Sequence, residues 1–198
     1  MSTSNIFPAE WVDDYVRCAL FFHDIGKPKS KSTDENGCDH FYHHAAKSAE
    51  ITYDILTRLR FNSKNRDIIV ELVKNHDMEL VATKACARRM FNKFGVDQLH
   101  RLLKIRECDN RAHSELAYPR FKNTVAFACC VEEVLDERST FSIKNLAVNG
   151  NDLIAIGFKQ GPAIGSVLND LLNLVIDEQI QNEKAALLEV AAERLRDV

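Results

Sequence analysis

Apolar residues recur along most of the chain at the spacing of helices that bury one face. The first such stripe follows the i, i+3, i+4, i+7 pattern and comprises Trp11, Val12, Tyr15, Val16, Ala19 and Leu20. Similar stripes predict further helices at about 41–60, 63–77, 83–94, 97–116, 119–137, 151–156, 162–180 and 183–196. Because no apolar strands alternate with these helices, the pattern predicts an all-α fold built as a helical bundle.

Breaks in the helical pattern predict one loop and one domain boundary. Residues 26–40 are polar, with turn chemistry at Asn36-Gly37, and the sequence leaves open a short hairpin or a flexible lid. Around residues 139–149 the pattern changes, which predicts a domain over residues 1–140 and a helical tail over residues 141–198. From residue type alone, the expected helix caps are Asp97 and Asn182 at N-termini and Gly95 at a C-terminus.

Composition places the chain among ordinary globular proteins. It is 45% apolar and 28% charged, and its net charge of −3 gives no overall attraction to nucleic acid. No stretch approaches the ~20 apolar residues of a membrane span, and the N-terminus lacks the features of a signal peptide. The six cysteines contain no Cys-x-x-Cys pair, so we expect reduced thiols in a cytoplasmic protein without a membrane partner.

Five ligand-type side chains interrupt or extend the apolar stripes: His23, Asp24, His44, His76 and Asp109. Such groups are costly in a core unless they are hydrogen-bonded, neutral or bound to a metal. One shared divalent ion explains them together. Imidazoles with carboxylates suit Mn²⁺, Fe²⁺ or Ni²⁺, with Zn²⁺ also possible, whereas Mg²⁺ prefers more oxygen ligands.

The same residues allow other roles. Asp109 can instead pair with a buried arginine such as Arg106 or Arg111. His44 and His76 can bind the metal directly, or they can hydrogen-bond to the residues that bind it, or they can contact a phosphate. Lys27, three residues after Asp24, is placed to offset the charge of a phosphate, although it can also be a solvated surface lysine.

Basic residues are concentrated between residues 82 and 106, where there is a single acid, Asp97. Such a run is usually a solvated face, but it can also be a surface for RNA phosphates, as can Lys159 just before the helix expected at Pro162. The candidate phosphate-binding residues are Arg88, Arg89, Lys93, Arg101, Lys104 and Lys159.

Two sets of motifs carry a resemblance to a known family. His23-Asp-Ile-Gly-Lys-Pro28, His40-Phe-Tyr-His-His-Ala45 and Lys74-Asn-His-Asp77 resemble the HD region of bacterial tRNA nucleotidyltransferases, the CCA-adding enzymes. Leu146-Ala-Val-Asn-Gly-Asn-Asp-Leu153 and Gly161-Pro-Ala-Ile-Gly165 resemble their C-terminal segment, which contacts the body of tRNA.

This resemblance implies an HD-type helical bundle with a C-terminal extension, a tRNA or other structured RNA as partner, and a phosphate-containing substrate. It implies that His23, Asp24 and Asp109 hold a divalent metal. It also implies that Asp24 orients the attacking water or shares a second ion. Lys27, His44 and His76 would neutralise the phosphate and the leaving oxygen.

The chain departs from the family in two respects. It lacks the Gly-Ser motif and paired aspartates of the nucleotidyltransferase head, and no histidine precedes His23. We therefore expect no CCA addition from this chain alone, and we expect a truncated copy or an expressed fragment. Three hypotheses stay open. The first is a metal-dependent phosphohydrolase; the second is a catalytically decayed tRNA-binding module that acts with a separate head, or a fragment of a complete CCA-adding enzyme; the third is a free-standing nucleotidase for small nucleotides.

Overall fold

The computed structural model describes residues 7–113, 118–137 and 142–196. Within these ranges it contains ten α-helices and a single two-stranded hairpin, which confirms the all-α fold. The helices are α1 (Asp14–Phe22), α2 (Lys27–Ser30), α3 (His44–Arg58), α4 (Ser63–Asn75), α5 (Lys84–Phe94), α6 (Val96–Ala112), α7 (Tyr118–Asp136), α8 (Gly150–Ala155), α9 (Pro162–Ile176) and α10 (Lys184–Arg196). The strands are β1 (Ser32–Thr33) and β2 (Asp39–His40), paired antiparallel.

Contacts between residues divide the chain into two compact units. The first comprises the chain up to Ala82 together with Val96–Cys129, and the second comprises Thr83–Gly95 together with the chain from Cys130 onward. Helix α5 therefore belongs to the second unit although it lies early in the sequence. The functional boundary expected near residue 140 stays a prediction.

The first unit is built around α4, which packs against both α1 and α3. Its core includes Val16, Leu56, Ile69 and Leu72, each almost fully buried. Asp13 begins α1 by accepting a hydrogen bond from the backbone N of Val16 at 3.0 Å. The first apolar stripe is thus divided between a short 3₁₀ turn and α1, because the Asp13 cap sets the start of the helix.

The polar loop forms the short hairpin, one of the two structures left open by the sequence. Its turn uses Gly37 at φ 78° and the Asp34 carboxylate, which accepts hydrogen bonds from the backbone N of Asn36 and of Cys38. Upstream, the backbone N of Gly26 donates to Ser48 Oγ at 2.9 Å, which ties the turn after α1 to α3.

The helix caps agree only in part with the sequence. Gly95 ends α5 with φ 75°, as predicted. Asp97 lies inside the first turn of α6, which begins at Val96, so the prediction that it is an N-cap was wrong. The Asn182 side chain accepts from the backbone N of Ala147 and donates to the backbone oxygen of Asn145, and its role as the N-cap of α10 stays a prediction.

The second unit has its own apolar core. Leu153, Leu168, Leu171 and Leu187 bring α8, α9 and α10 together, and α8 begins with a capping box formed by Asn149 and Asp152. None of the helices in the described ranges has the length and apolar content needed to cross a membrane.

Candidate metal centre

Three histidine side chains of the first unit are held in the same way. Each Nδ1 lies within hydrogen-bond distance of the backbone oxygen three residues earlier. For His23, His44 and His76 these acceptors are Leu20 at 2.7 Å, Phe41 at 3.0 Å and Val73 at 2.7 Å. Because a carbonyl oxygen only accepts, Nδ1 carries the proton in each ring, and Nε2 is the atom presented to a ligand.

The Nε2 atoms converge on two carboxylates. His23 Nε2 lies 3.4 Å from Asp24 Oδ2 and 3.4 Å from Asp109 Oδ1. Asp24 Oδ1 lies 3.5 Å from His44 Nε2 and 3.9 Å from His76 Nε2. The structure therefore brings together all five residues that the sequence singled out as ligand types.

These atoms form two possible ligand groups that share Asp24. One group is Asp24, His44 and His76, the other is His23, Asp24 and Asp109, and within each group the ligand atoms lie within 4.8 Å of one another. His44 Nε2 and His76 Nε2 are only 3.2 Å apart. With both Nδ1 atoms protonated, two lone pairs face each other there, an arrangement that a cation between them stabilises. The residues present thus fit a divalent ion.

The electrostatics of the cluster follow from its burial and its charges. The hydrogen bond with Asp109 raises the pKa of His23, and burial lowers the pKa of His76. For Asp109 itself burial acts in the opposite direction, but the hydrogen bond that His23 donates from Nε2 when its ring is doubly protonated, together with nearby positive charges, brings the pKa of Asp109 down to about 2. Asp109 is therefore ionised, and His76 is neutral, at physiological pH.

The alternative in which Asp109 pairs with Arg106 or Arg111 was wrong. Arg111 pairs with Glu107 at 2.8 Å. Arg106 is buried and donates from Nη1 to the backbone oxygens of His76 at 3.1 Å and Met78 at 2.6 Å. It thus holds the segment that follows α4 and carries His76.

Lys27 lies directly beside the cluster. Its Nζ is 2.6 Å from Asp24 Oδ2 and 5.9 Å from the centre of the Phe41 ring. The lysine is about one-third exposed, so it faces both the carboxylate and solvent.

The structure adds three residues that the sequence did not assign to the site. His113 Nε2 lies 3.2 Å from Asp109 Oδ1, and Arg120 Nη2 lies 3.8 Å from Asp109 Oδ2. Asp77 Oδ1 holds Arg120 Nη2 at 2.5 Å and does not orient the His76 ring, whose Nδ1 lies against the backbone oxygen of Val73. The i, i+4 spacing of Asp109 and His113 is a signal that could have found His113, whereas the approach of Arg120 depends on tertiary packing.

The expected RNA-phosphate residues are placed differently from one another. Arg88 is only 8% exposed and pairs with Glu178 at 2.8 Å, while Lys104 is 9% exposed and pairs with Glu107 at 2.7 Å. Both cations are largely buried and each has an acidic partner, so they are the least accessible of the six candidates. Their role in RNA binding stays a prediction.

The other four candidates are more accessible. Arg89 pairs with Asp177, and Arg101 pairs with Asp13 at 2.6 Å. Lys93 and Lys159 are exposed, and Lys93 Nζ lies 4.6 Å over the ring of Phe94. Lys93 and Lys159 therefore keep the best access to a phosphate among the six.

Comparison with known proteins identifies the family. The family described as tRNA nucleotidyltransferase domain 2 (putative) matches residues 41–191, well over half of the chain. The chain belongs to this family. The match confirms the relation to tRNA nucleotidyltransferases, and it includes His44, His76, Asp109 and the C-terminal segment. The motif from His23 to Pro28 lies before the matched residues, and the HD-type character of the first unit stays a prediction.

Relatives of this tRNA nucleotidyltransferase domain 2 chain are substantially longer. An A-adding tRNA nucleotidyltransferase of Deinococcus radiodurans is 32% identical over 166 residues, which are 80% of this chain and 37% of the relative. A CC-adding tRNA nucleotidyltransferase of Thermus thermophilus is 27% identical over 86% of this chain and 38% of the relative. The chain thus spans under two-fifths of the length of these relatives. No solved structure matches it.

A shorter stretch is more similar to a third relative. A CCA-adding enzyme of Limosilactobacillus fermentum is 45% identical over 51 residues, which are 26% of this chain and 13% of the relative.

Proposed function

We propose that this chain is a divalent-metal-dependent phosphohydrolase of the HD type, acting on a phosphomonoester or a 2′,3′-cyclic phosphate at an RNA end. The observation that carries the proposal is the convergence of three fixed imidazole Nε2 atoms on the carboxylates of Asp24 and Asp109. Mn²⁺, Ni²⁺ and Fe²⁺ suit this mixed set best, Zn²⁺ is compatible, and Mg²⁺ favours more oxygen.

The roles of the residues follow from their positions. A divalent ion held by His23, Asp24 and Asp109 would polarise a phosphoryl oxygen and lower the pKa of bound water. Asp24, which also belongs to the second ligand group, accepts a hydrogen bond from the attacking water and orients it. Lys27 offsets charge on the phosphate from the side of Asp24. His44 and His76, whose Nε2 lone pairs point toward each other, would complete a second ion site together with Asp24.

Hydrolysis of 2′,3′-cyclic AMP and p-nitrophenyl phosphate, measured with Mn²⁺ or Ni²⁺, tests this function. We expect EDTA to abolish turnover and Mn²⁺ to restore it. Asp24→Asn should lower kcat/KM by about a hundredfold or more, because it removes a charge from both ligand groups. Asp54→Asn, an equal change at an exposed position of α3, is the matched control. Turnover of the Asp24→Asn variant at the rate of the control would exclude the site.

A second function is favoured by the comparisons. The similarity to tRNA nucleotidyltransferase domain 2 and to the two tRNA nucleotidyltransferases supports a tRNA-binding part, either of a CCA-adding enzyme or of a module that works with a separate nucleotidyltransferase head. In that case the chain binds tRNA and the metal centre contributes structure rather than turnover. This alternative would be favoured if the Asp24→Asn variant and the unmodified protein bind tRNA with equal affinity and neither protein hydrolyses the phosphate esters.

A further inference from the structure

Arg120, near the start of α7, lies at the edge of the metal-ligand cluster. Its Nη2 atom is 3.8 Å from Asp109 Oδ2, too far for a hydrogen bond, and 2.5 Å from Asp77 Oδ1. The position of the guanidinium is therefore set by Asp77, while its charge acts on Asp109. Lys27 stands beside the other carboxylate, with Nζ 2.6 Å from Asp24 Oδ2. Each of the two carboxylates thus has its own cation.

The guanidinium of Arg120 has capacity for a further ligand. Within the described residues its contacts with acids run through Nη2, whereas guanidinium carries donors on Nε and Nη1 as well. The side chains of Arg120 and Asp77 are 37% and 40% exposed, and an ion pair this exposed is weak. Sharing the guanidinium with an incoming oxyanion therefore costs little.

The charges around the cluster favour a doubly negative ligand. Among the described residues, Asp24, Asp77 and Asp109 are matched by Lys27, Arg106 and Arg120, so the charge of a bound divalent ion would be left over for an anion to balance.

We propose that Arg120 is a phosphate-binding residue of this centre, and that it and Lys27 hold the phosphoryl oxygens of a terminal phosphomonoester from the two sides of the cluster. The inference rests on the proposed hydrolase function and deepens it, because it names a monoester dianion rather than a singly charged diester as the preferred substrate. A planar guanidinium fork matches two oxygens of a phosphate, which an ammonium group does not.

Binding of inorganic phosphate, measured by calorimetry on the full chain with and without one equivalent of divalent metal, tests the assignment independently of turnover. We expect Arg120→Gln to weaken phosphate binding about tenfold to a hundredfold, the range typical of hydrogen bonds to charged groups. The phosphate affinity of Arg120→Lys should lie between those of the unmodified protein and Arg120→Gln, because lysine keeps the positive charge but lacks the two-pronged guanidinium. Arg111→Gln, which removes the same charge from an arginine paired with Glu107, is the matched control and should bind phosphate normally.

The substrate preference gives a second measurement. We expect Arg120→Lys, which retains an ion pair with Asp77, to lose rate on p-nitrophenyl phosphate while its rate on bis(p-nitrophenyl) phosphate changes little. This variant also keeps the test valid if the glutamine variant unfolds at a lower temperature.

The outcomes separate the two proposals. Phosphate binding that depends on Arg120 in a protein that hydrolyses neither ester supports this inference and excludes the hydrolase. If the protein hydrolyses the esters but Arg120→Gln and Arg111→Gln bind phosphate equally well, the hydrolase is supported and the inference about Arg120 is overturned. Absence of phosphate binding by the unmodified protein, with metal and without, overturns the inference as well.

Discussion

At the scale of single residues, the histidines are fixed by helix ends. His23 and His76 directly follow α1 and α4, and each ring donates to a carbonyl in the last turn of its own helix. Those carbonyls lack an intrahelical partner, so the imidazole satisfies them and at the same time acquires a defined tautomer. The local fold thereby prepares Nε2 for a ligand without help from another element.

This arrangement explains which parts of the site could be predicted from sequence. His23, His76 and Asp109 continue apolar stripes, so helical periodicity is enough to aim them at one interior. His44 is the first residue of α3, where periodicity also applies. Arg120 could not be predicted, because its place depends on how the start of α7 packs near Asp77, and no local pattern encodes that approach.

Asp109 provides a prediction about pH. Its pKa of about 2 lies below the value of 3.8 for a free carboxyl, so its ionised form stabilises the folded state. In metal-free protein this contribution, on the order of 2 kcal/mol, is complete above the unfolded-state pKa and is lost as the pH falls from about 4 to 2. The difference in unfolding free energy between the unmodified protein and Asp109→Asn should follow that window. A difference that is independent of pH would contradict it.

At the scale of elements, the contact between the turn after α1 and the start of α3 positions the cluster. A Cβ built on Gly26 would lie 2.5 Å from the backbone N of Ser48 and 2.7 Å from the backbone oxygen of His44. Only glycine allows this approach, which sets Asp24 next to His44. The sequence predicted the helices on both sides, but a close backbone approach leaves no periodic signal.

Substitution of Gly26 should therefore be costly. We expect Gly26→Ala to lower the unfolding free energy by about 1–3 kcal/mol, because the added methyl group meets backbone atoms that cannot rotate away. Chemical denaturation measures this change. It should also weaken Mn²⁺ binding, because His44 and Asp24 move apart.

Gly165 is the matched control for this prediction. It lies within α9, and no heavy atom would lie within 4 Å of an added Cβ. Gly165→Ala should therefore raise the unfolding free energy by about 0.5–1 kcal/mol, since alanine is the better helix former. Equal effects of the two substitutions would show that the contact at Gly26 is not tight.

At the scale of the whole molecule, both units contain basic residues, and these are of two kinds: buried cations that stabilise the fold and exposed cations that are accessible to a ligand. Arg88 donates to the backbone oxygen of Ile176 at the end of α9, where a positive charge stabilises the helix terminus. Lys104 donates from Nζ to the backbone oxygen of Phe7 in the interior of the first unit. Counting charges along the sequence could not separate these structural cations from exposed ones, because burial is a tertiary property.

The exposed lysines give a prediction for RNA binding. If Lys93 and Lys159 contact tRNA phosphates, each change to glutamine should weaken binding and reduce the slope of log K against log salt by about 1. Lys47→Gln, at an exposed lysine paired with Glu50, is the matched control and should leave the slope unchanged. Salt titrations of tRNA binding by fluorescence anisotropy measure it. Identical slopes for all three variants would remove these lysines from the interface.

The membership of Asp24 in both ligand groups has a consequence for metal stoichiometry. If divalent ions bind both groups, the first would take up the negative charge of the shared carboxylate and would also repel a second ion a few ångströms away. We therefore expect negative cooperativity between the two positions. Titration with Mn²⁺ should give two separated steps, and Asp24→Asn should depress both steps rather than abolish one.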